Sequence, residues 1–345
     1  MSPALPFNSV TPFVQSIVDP NVLALSSGKR LAPMRAEVFQ AAADDPKILA
    51  REIIMSFLQR TQLIKRFGPP PDLAVDSKVR ETIDSWNLGI PPDILEMRIQ
   101  CGVAVGALGY RHASFELQVA VALFCFIVAC FDDGLIGEKA RREFLPRYYL
   151  NQPQLHVVPE RMIETALALR KFVPLYSGNI ILSALLQYAN EDVFYMDESV
   201  VLTQDLQPEA REYVEFVRLN DGIPGPFIVC IWPTSICPDV KEYIQALPPA
   251  FDWCNIVNDM FSFYKEMLAG DRGNYVHRYA SVHGKTIRET LQDIVERLIR
   301  SDENVRAILG EGKARDAWDS FTAGFAQFHI YAPRYKLHEV IPELF

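Results

Sequence analysis

Asn258, Ser262 and Glu266 stand four residues apart in the stretch Asn258-Asp259-Met260-Phe261-Ser262-Phe263-Tyr264-Lys265-Glu266. On an α-helix, positions i, i+4 and i+8 drift by only about 80° over roughly 12 Å, so an amide, a hydroxyl and a carboxylate share one face and can converge on one ion. An all-oxygen set with no His or Cys beside it suits Mg²⁺ rather than zinc. Mg²⁺ takes octahedral oxygen coordination, keeps several waters and is commonly shared with substrate phosphates, which points to a phosphorylated substrate. Lys265 beside this face strengthens that inference. The same spacing also describes the solvated stripe of an ordinary amphipathic helix. The flanking residues argue for the first reading. Phe251, Trp253, Ile256 and Val257 before the stripe, with Met260, Phe261, Phe263 and Tyr264 within it, leave little of the helix polar. The stripe is therefore expected to face a cavity, and a buried polar stripe without partners would be costly.

A second acidic group, Asp132-Asp133, ends the apolar run Val119 to Phe131. Like charges raise each other's pKa, and the negative end of the helix dipole disfavours anions there, so a cation is required nearby. Mg²⁺ meets that need; so would local ion pairing with Arg141 and Arg142, which follow Glu138, if the pair simply sits on the surface beyond the helix. In Arg218-Leu219-Asn220-Asp221-Gly222-Ile223-Pro224-Gly225-Pro226, two prolines and two glycines interrupt a helix. A broken helix exposes backbone groups inside a bundle, where a substrate can use them; an ordinary interhelical loop carrying a solvated Arg is the other reading.

Helical patterns position these residues almost without interruption. They run over Asp45–Phe67, Asp76–Leu88, Pro92–Leu108, Ser114–Asp133, Pro159–Phe172, Ser177–Thr203, Pro208–Asp221, Pro226–Trp232, Asp239–Leu268, Lys285–Ser301 and Asn304–Tyr331. Pro248-Pro249 is expected to split the ninth of these in two. No alternating strand or hairpin signal is evident, so the fold class is all-α. Residues 1–40, rich in Pro and Ser, are expected to wrap the surface, and residues 41–345 to form the functional domain. Gly102, Gly106 and Gly109 have helix-packing spacing rather than a dinucleotide fingerprint, and Ser27-Gly28-Lys29-Arg30 is no phosphate loop.

With 345 residues, 49% hydrophobic and 22% charged, the chain has ample material for a large core. A net charge of −9 without a basic run excludes a nucleic-acid surface. The six cysteines lie mostly in apolar stretches with no Cys-x-x-Cys pair and read as core residues of a reducing compartment. The thirteen-residue apolar run is shorter than the roughly 20 residues a bilayer requires, so no membrane span is expected. The N-terminus shows no signal or transit pattern, which places the protein in the cytosol.

The two acidic motifs together resemble the class I terpene cyclases, and among them the fungal trichodiene-synthase-like enzymes. Asn258, Asp259, Ser262, Lys265 and Glu266, with the Phe-Tyr-Lys-Glu ending, match the second metal motif of that family. Arg218-Leu219-Asn220 is similar to its diphosphate-sensing arginine, and Arg334-Tyr335 to the pair near its C-terminus. The resemblance spans roughly Met97 to Glu339. It implies a single-domain helical bundle around a central apolar cavity, three Mg²⁺ ions, and a prenyl diphosphate substrate. Asp132, Asn258, Ser262 and Glu266 would be metal ligands, and Arg218, Lys265, Arg334 and Tyr335 would act on the diphosphate. Asp133 is expected to hydrogen-bond to a partner such as Arg334; Asp259 is expected beside the ligands in a supporting place, and whether Glu138 reaches the metals in place of the missing third acid is left open. The departure is at Ile136, where the family carries a third acid.

The implied reaction is ionisation of farnesyl diphosphate, stabilised by the metal cluster and cations, followed by cyclisation to a C15 hydrocarbon in a water-free cavity. Direct closure of the all-trans chain would give a humulene-type eleven-membered ring. Phe124, Phe126, Phe194, Tyr195, Trp232, Trp253 and Phe328 are candidates to face the cation, each worth about 0.5–2 kcal/mol. A chain-elongating prenyltransferase and a non-catalytic helical binding protein are the alternatives, and the oligomeric state is open, a homodimer included.

Overall fold

The computed structural model describes residues 45–198 and 206–345. The expected N-terminal surface segment lies outside the described residues, as does the end of the expected helix to Thr203. The described residues belong to one compact unit, Asp44–Phe345. They are all-α, with no strand among them.

The helices are α1 (Pro46–Thr61), α2 (Leu73–Ser85), α3 (Pro92–Ala104), α4 (Phe115–Asp132), α5 (Glu138–Tyr149), α6 (Val157–Leu169) and α7 (Leu175–Glu198). They continue with α8 (Arg211–Asp221), α9 (Pro224–Val229), α10 (Leu247–Ala269), α11 (Tyr275–His283), α12 (Ile287–Leu309) and α13 (Lys313–Tyr331). Side-chain caps set many of the starts: Asp45, Asp72, Ser114 and Asn274 each accept a backbone N–H of the first turn, and Thr286 with Glu289 forms a capping box.

Three differences from the sequence expectation have local causes. Pro248 and Pro249 occupy the first turn of α10, where a missing N–H costs nothing, and so open the helix instead of splitting it. Helices α5 and α11 were not expected. The first is half charged and contains Pro146; the second has only nine residues between its Asn274 cap and Gly284. Finally, α12 runs on through Ser301 and stops at Gly310, whose φ of 64° and the 126° of Gly312 fit glycine.

Helices α4 and α10 position the site. Helix α4 packs on α3, α6 and α2, while α10 packs on α12, α1 and α9. By length and composition α4 could cross a membrane, yet Phe124, Phe126, Ile127, Cys130 and Phe131 on it are fully buried in the core. Close approach to α4 of α3 and of the helical turn that continues it, Val105–Gly109, requires Gly102 and Gly106. A Cβ there would stand 2.5 Å from the Ala122 carbonyl oxygen and 2.3 Å from that of Gln118.

Candidate active site

A cavity of about 980 Å³ opens where the C-terminal ends of α3 and α4, the C-terminal half of α7, the α8–α9 break, α10, α11, and α13 with the segment after it meet. Asp132, Arg218, Asn258, Asp259, Lys265, Glu266, Arg334 and Tyr335 all line it, so residues separated by up to 203 positions share one wall.

The α4 end contributes two carboxylates with different fates. Asp132 is directed into the cavity, its side chain 57% exposed, with only long contacts: Tyr188 Oη donates at 3.3 Å and Arg334 lies 3.7 Å away. The surrounding protein pushes its carboxyl above the usual range, which Arg334 offsets only in part. Asp133 turns away and takes the Arg334 guanidinium in a two-pronged fork, at 2.8 and 2.9 Å, with Arg98 at 2.7 Å. Burial opposes ionisation here, but the two arginines hold the Asp133 carboxyl below its usual range. Glu138 is not brought to the site: it opens α5, is mostly exposed and pairs with Arg142 at 2.6 Å. Ile136, at the place of the family's third acid, is buried in the core.

On α10 the three oxygen ligands proposed from spacing lie along one face. Asn258 Oδ1 has only a 3.5 Å contact from Arg218, while its Nδ2 donates to Tyr335 Oη at 3.2 Å and meets His329 Nε2 at 3.2 Å. Ser262 is 1% exposed and its Oγ has no hydrogen-bond partner. Glu266 pairs with Lys265 at 3.0 Å, and the Lys265 ammonium lies 6.0 Å from the centre of the Tyr335 ring. A buried hydroxyl without a partner is costly, and an ion-binding role for the α10 face removes that cost. Hard oxygen donors with uncommitted lone pairs at Asp132, Asn258 and Ser262 fit a magnesium-type site. Among the described residues no three His, Cys, Asp or Glu side chains cluster as a metal cage, so an ion here would draw further oxygens from water or from a phosphate.

The broken helix seats Arg218. Its Nε donates to Asp259 at 2.8 Å, one Nη to Asp221 at 3.0 Å and the other to the Asn255 carbonyl at 3.1 Å. Burial opposes its charge, but Asp259 and Asp221 hold it firmly protonated. Burial pushes the Asp259 carboxyl up to about 6, against the pull of Arg218. The break itself is strained: Ile223, β-branched, sits at φ 43° and ψ 45° on the cavity wall, a conformation costing about 1–3 kcal/mol.

Of the aromatic candidates, Tyr195 and Phe328 line the cavity. Phe124, Phe126, Trp232 and Trp253 are instead fully buried core residues, Trp232 stacking on Tyr243 and Trp253 packing edge-on against Trp318, and Phe194 packs on Tyr195. Tyr188, Phe227 and Phe325 line the wall without having been singled out. Arg98, Asp221, Arg278 and His329 were also missed. Arg98, Arg278 and His329 act through contacts distant in sequence, for which spacing offers no signal; Arg278, for instance, lies 5.6 Å from the Tyr195 ring and 3.5 Å from Asp221, whereas Asp221 also pairs with Arg218 three positions before it.

Oxygen donors from α4 and α10 share one cavity with paired cations in an all-helical bundle, an arrangement that fits a class I terpene cyclase. The trichodiene synthase (TRI5) family model matches residues 77–343, and the chain belongs to that family. It is 33% identical over 298 residues to Terpene synthase 29 of Postia placenta, covering 85% of this chain and 84% of that one. It is 31% identical to Monoterpene synthase 25 of the same fungus, covering 85% and 87%. Its fold is similar to that of linalool/nerolidol synthase from Streptomyces clavuligerus, solved with 2-fluorogeranyl diphosphate, at a TM-score of 0.51 and 16% identity, covering 77% of this chain and 96% of that one.

Proposed function

We propose that this terpene cyclase ionises farnesyl diphosphate with the help of Mg²⁺ and closes the allylic cation to a C15 hydrocarbon, releasing diphosphate, in the cytosol. Residues 41–345 would form the catalytic domain. The observation that supports the reading is the meeting of Asp132 with Asn258 and Glu266 around one cavity, next to Arg218, Lys265, Arg334 and Tyr335, with the unpartnered Ser262 hydroxyl buried one turn from each of the two α10 residues.

The balance of charge supports a divalent ion. The described residues lining the cavity include six carboxylates (Asp132, Asp192, Asp221, Asp259, Glu266, Asp271) and five cations (Arg218, Lys265, Arg272, Arg278, Arg334). Such a wall offers no net positive field to a multiply charged diphosphate. Bound by Asp132 on one side and Asn258, Ser262 and Glu266 on the other, Mg²⁺ would supply Lewis-acid stabilisation of the departing diphosphate. Arg218, Lys265, Arg334 and the Tyr335 hydroxyl are the groups that can donate to its oxygens, which orients the leaving group and stabilises its developing charge. Val105, Cys125, Val128, Phe227, Phe325 and Phe328 form the apolar wall that keeps water from the carbocation and sets the fold of the chain.

A cavity of about 980 Å³ is at the upper end of the ~300–1,000 Å³ common for small-molecule sites, with room for a fifteen-carbon chain and its diphosphate. The relative named as a monoterpene synthase keeps a ten-carbon substrate as the competing reading. Incubation of purified protein with C10, C15 or C20 prenyl diphosphates and Mg²⁺, followed by headspace gas chromatography and mass spectrometry, decides. A volatile C15 product from the C15 substrate is expected, and its spectrum gives the ring skeleton. Preferred C10 turnover would replace the substrate assignment, a longer diphosphate would indicate chain elongation, and no turnover of any would overturn the reading.

A further inference from the structure

The ion-ligand role of Asn258 depends on which way its amide points, and the structure contains a device that settles this. His329 is fully buried on α13, with ring centres of Phe261, Phe325, Phe328 and Tyr335 between 4.4 and 5.2 Å from its own. Its Nδ1 is 2.7 Å from the Phe325 carbonyl oxygen, which can only accept. Nδ1 therefore carries the ring proton. A neutral imidazole has one N–H, so Nε2 is left with a lone pair. That lone pair faces Asn258 at 3.2 Å. Only the NH₂ end of an amide can satisfy it; the reversed amide would set oxygen against lone pair. The second N–H of the same NH₂ group goes to Tyr335 Oη at 3.2 Å. With both donors used on that side, Oδ1 is left on the other side, near Arg218 and the oxygen-lined face of α10.

We propose that His329 is a positioning residue: through its Phe325-fixed tautomer it locks the Asn258 amide with Oδ1 toward the ion-binding face, and it leaves the Tyr335 hydroxyl proton free for the cavity. The chain of cause runs from a helix carbonyl to a tautomer, from the tautomer to an amide rotamer, and from the rotamer to an ion ligand. Without the lone pair the amide can turn over, and Oδ1 then competes for Tyr335 instead of facing the ion. The proposal rests on the reading of Asn258 as a ligand for a diphosphate-associated divalent cation.

The test is calorimetric titration of inorganic pyrophosphate at fixed Mg²⁺ into wild type, H329F and H329Q, with a thermal melt of each. Phe keeps the aromatic packing and removes the acceptor, whereas the Gln carbonyl can take the place of Nε2. Supporting results are a wild-type-like melt for H329F with pyrophosphate affinity weakened by about 10- to 100-fold, and recovery of most of that loss in H329Q. If H329F does not fold, H329M, as long and as unbranched as Gln, takes its place in the comparison. Equal affinity in wild type and the apolar variant overturns the proposal, as does equal weakening in H329Q, which would make His329 a packing residue. No Mg²⁺-dependent binding by wild type would instead overturn the ion-site reading on which the proposal rests.

Discussion

Gly222 is a residue whose replacement by alanine tests the seating of Arg218 without removing any charged group. Its φ of −75° and ψ of −14° are ordinary for any residue, so alanine brings no backbone strain. Space is the obstacle: a Cβ would stand 2.2 Å from Asn255 Oδ1 and 2.5 Å from Arg218 Nη1. Neither neighbour is free to yield. Asn255 Nδ2 donates to the Arg218 carbonyl at 3.1 Å, and the guanidinium is held by Asp259, Asp221 and the Asn255 carbonyl. The methyl group must therefore displace the guanidinium from at least one carboxylate. One lost hydrogen bond to a charged group costs about 1.5–3 kcal/mol, and a fully broken buried pair about 3–5 kcal/mol. We expect about 3 kcal/mol of destabilisation in G222A, a fall of roughly 5 °C in melting temperature for a domain of this size. With Arg218 misplaced, turnover should fall by about 100-fold, equivalent to about 2.7 kcal/mol of transition-state stabilisation. Calorimetric melts and steady-state product release measure the two. A G222A protein that melts with wild type and keeps its turnover within about twofold would refute the account of a rigidly seated Arg218.

Other perturbations separate the roles of neighbouring residues. S262A removes a buried hydroxyl that has no partner, so the melting temperature should hold or rise while Mg²⁺-dependent pyrophosphate affinity drops about tenfold or more in titration. E138Q should keep turnover within about twofold of wild type, because Glu138 faces Arg142 and solvent and not the cavity; a large loss in steady-state assay would return Glu138 to the metal site. His112 predicts a pH effect on stability. Burial lowers it to about 4 from an ordinary 6.5, its Nε2 facing the Ile231 carbonyl oxygen. A group with a depressed folded pKa binds more protons when unfolded, so its contribution is present above about pH 6.5 and lost as pH falls toward 4. That amounts to at most about 3 kcal/mol, less to the extent that the half-buried ring keeps contact with water. Chemical unfolding at pH 4.5 and 7.5 should show a smaller difference in H112F than in wild type.

The all-α class and the place of Asn258 and Glu266 on the cavity wall were legible because both are local; Ser262, 1% exposed, lies behind that wall. A period of 3.6 with aromatic residues around Asn258, Ser262 and Glu266 is enough to imply a helix whose polar face is enclosed. The short distance between Asp132 and Asp133 likewise announced a charge problem at the end of α4. Its solution was not local: Asp133 is neutralised by Arg98 and by Arg334, 201 residues away, while Asp132 is left open to the cavity. Aromatic roles were the least legible, since Trp232 and Trp253 in the core and Phe328 on the wall have the same composition signal and differ only in which way the packed helix turns them. Helix α5 was missed for a related reason. Half of its residues are charged, and its register is set by Ala140 and Phe144 packing inward rather than by an apolar stripe.

The pairing of cations before any ligand arrives has a consequence for how the site works. Arg334 is held by Asp133, Arg218 by Asp259 and Asp221, and Lys265 by Glu266. The first two pairings use carboxylates that are not proposed as ion ligands, so those arginines are fixed in place and lose little entropy when they meet an anion. Lys265 differs, because its partner Glu266 is also an oxygen donor of the α10 face. If Glu266 takes up a divalent cation as proposed, its hold on the ammonium would weaken and leave Lys265 available to a diphosphate oxygen. Cation and anion would then assist one another through a single shared carboxylate, a coupling that by linkage acts equally in both directions. Such reciprocity would keep the ionising charges from assembling unless both components of the leaving-group complex were present.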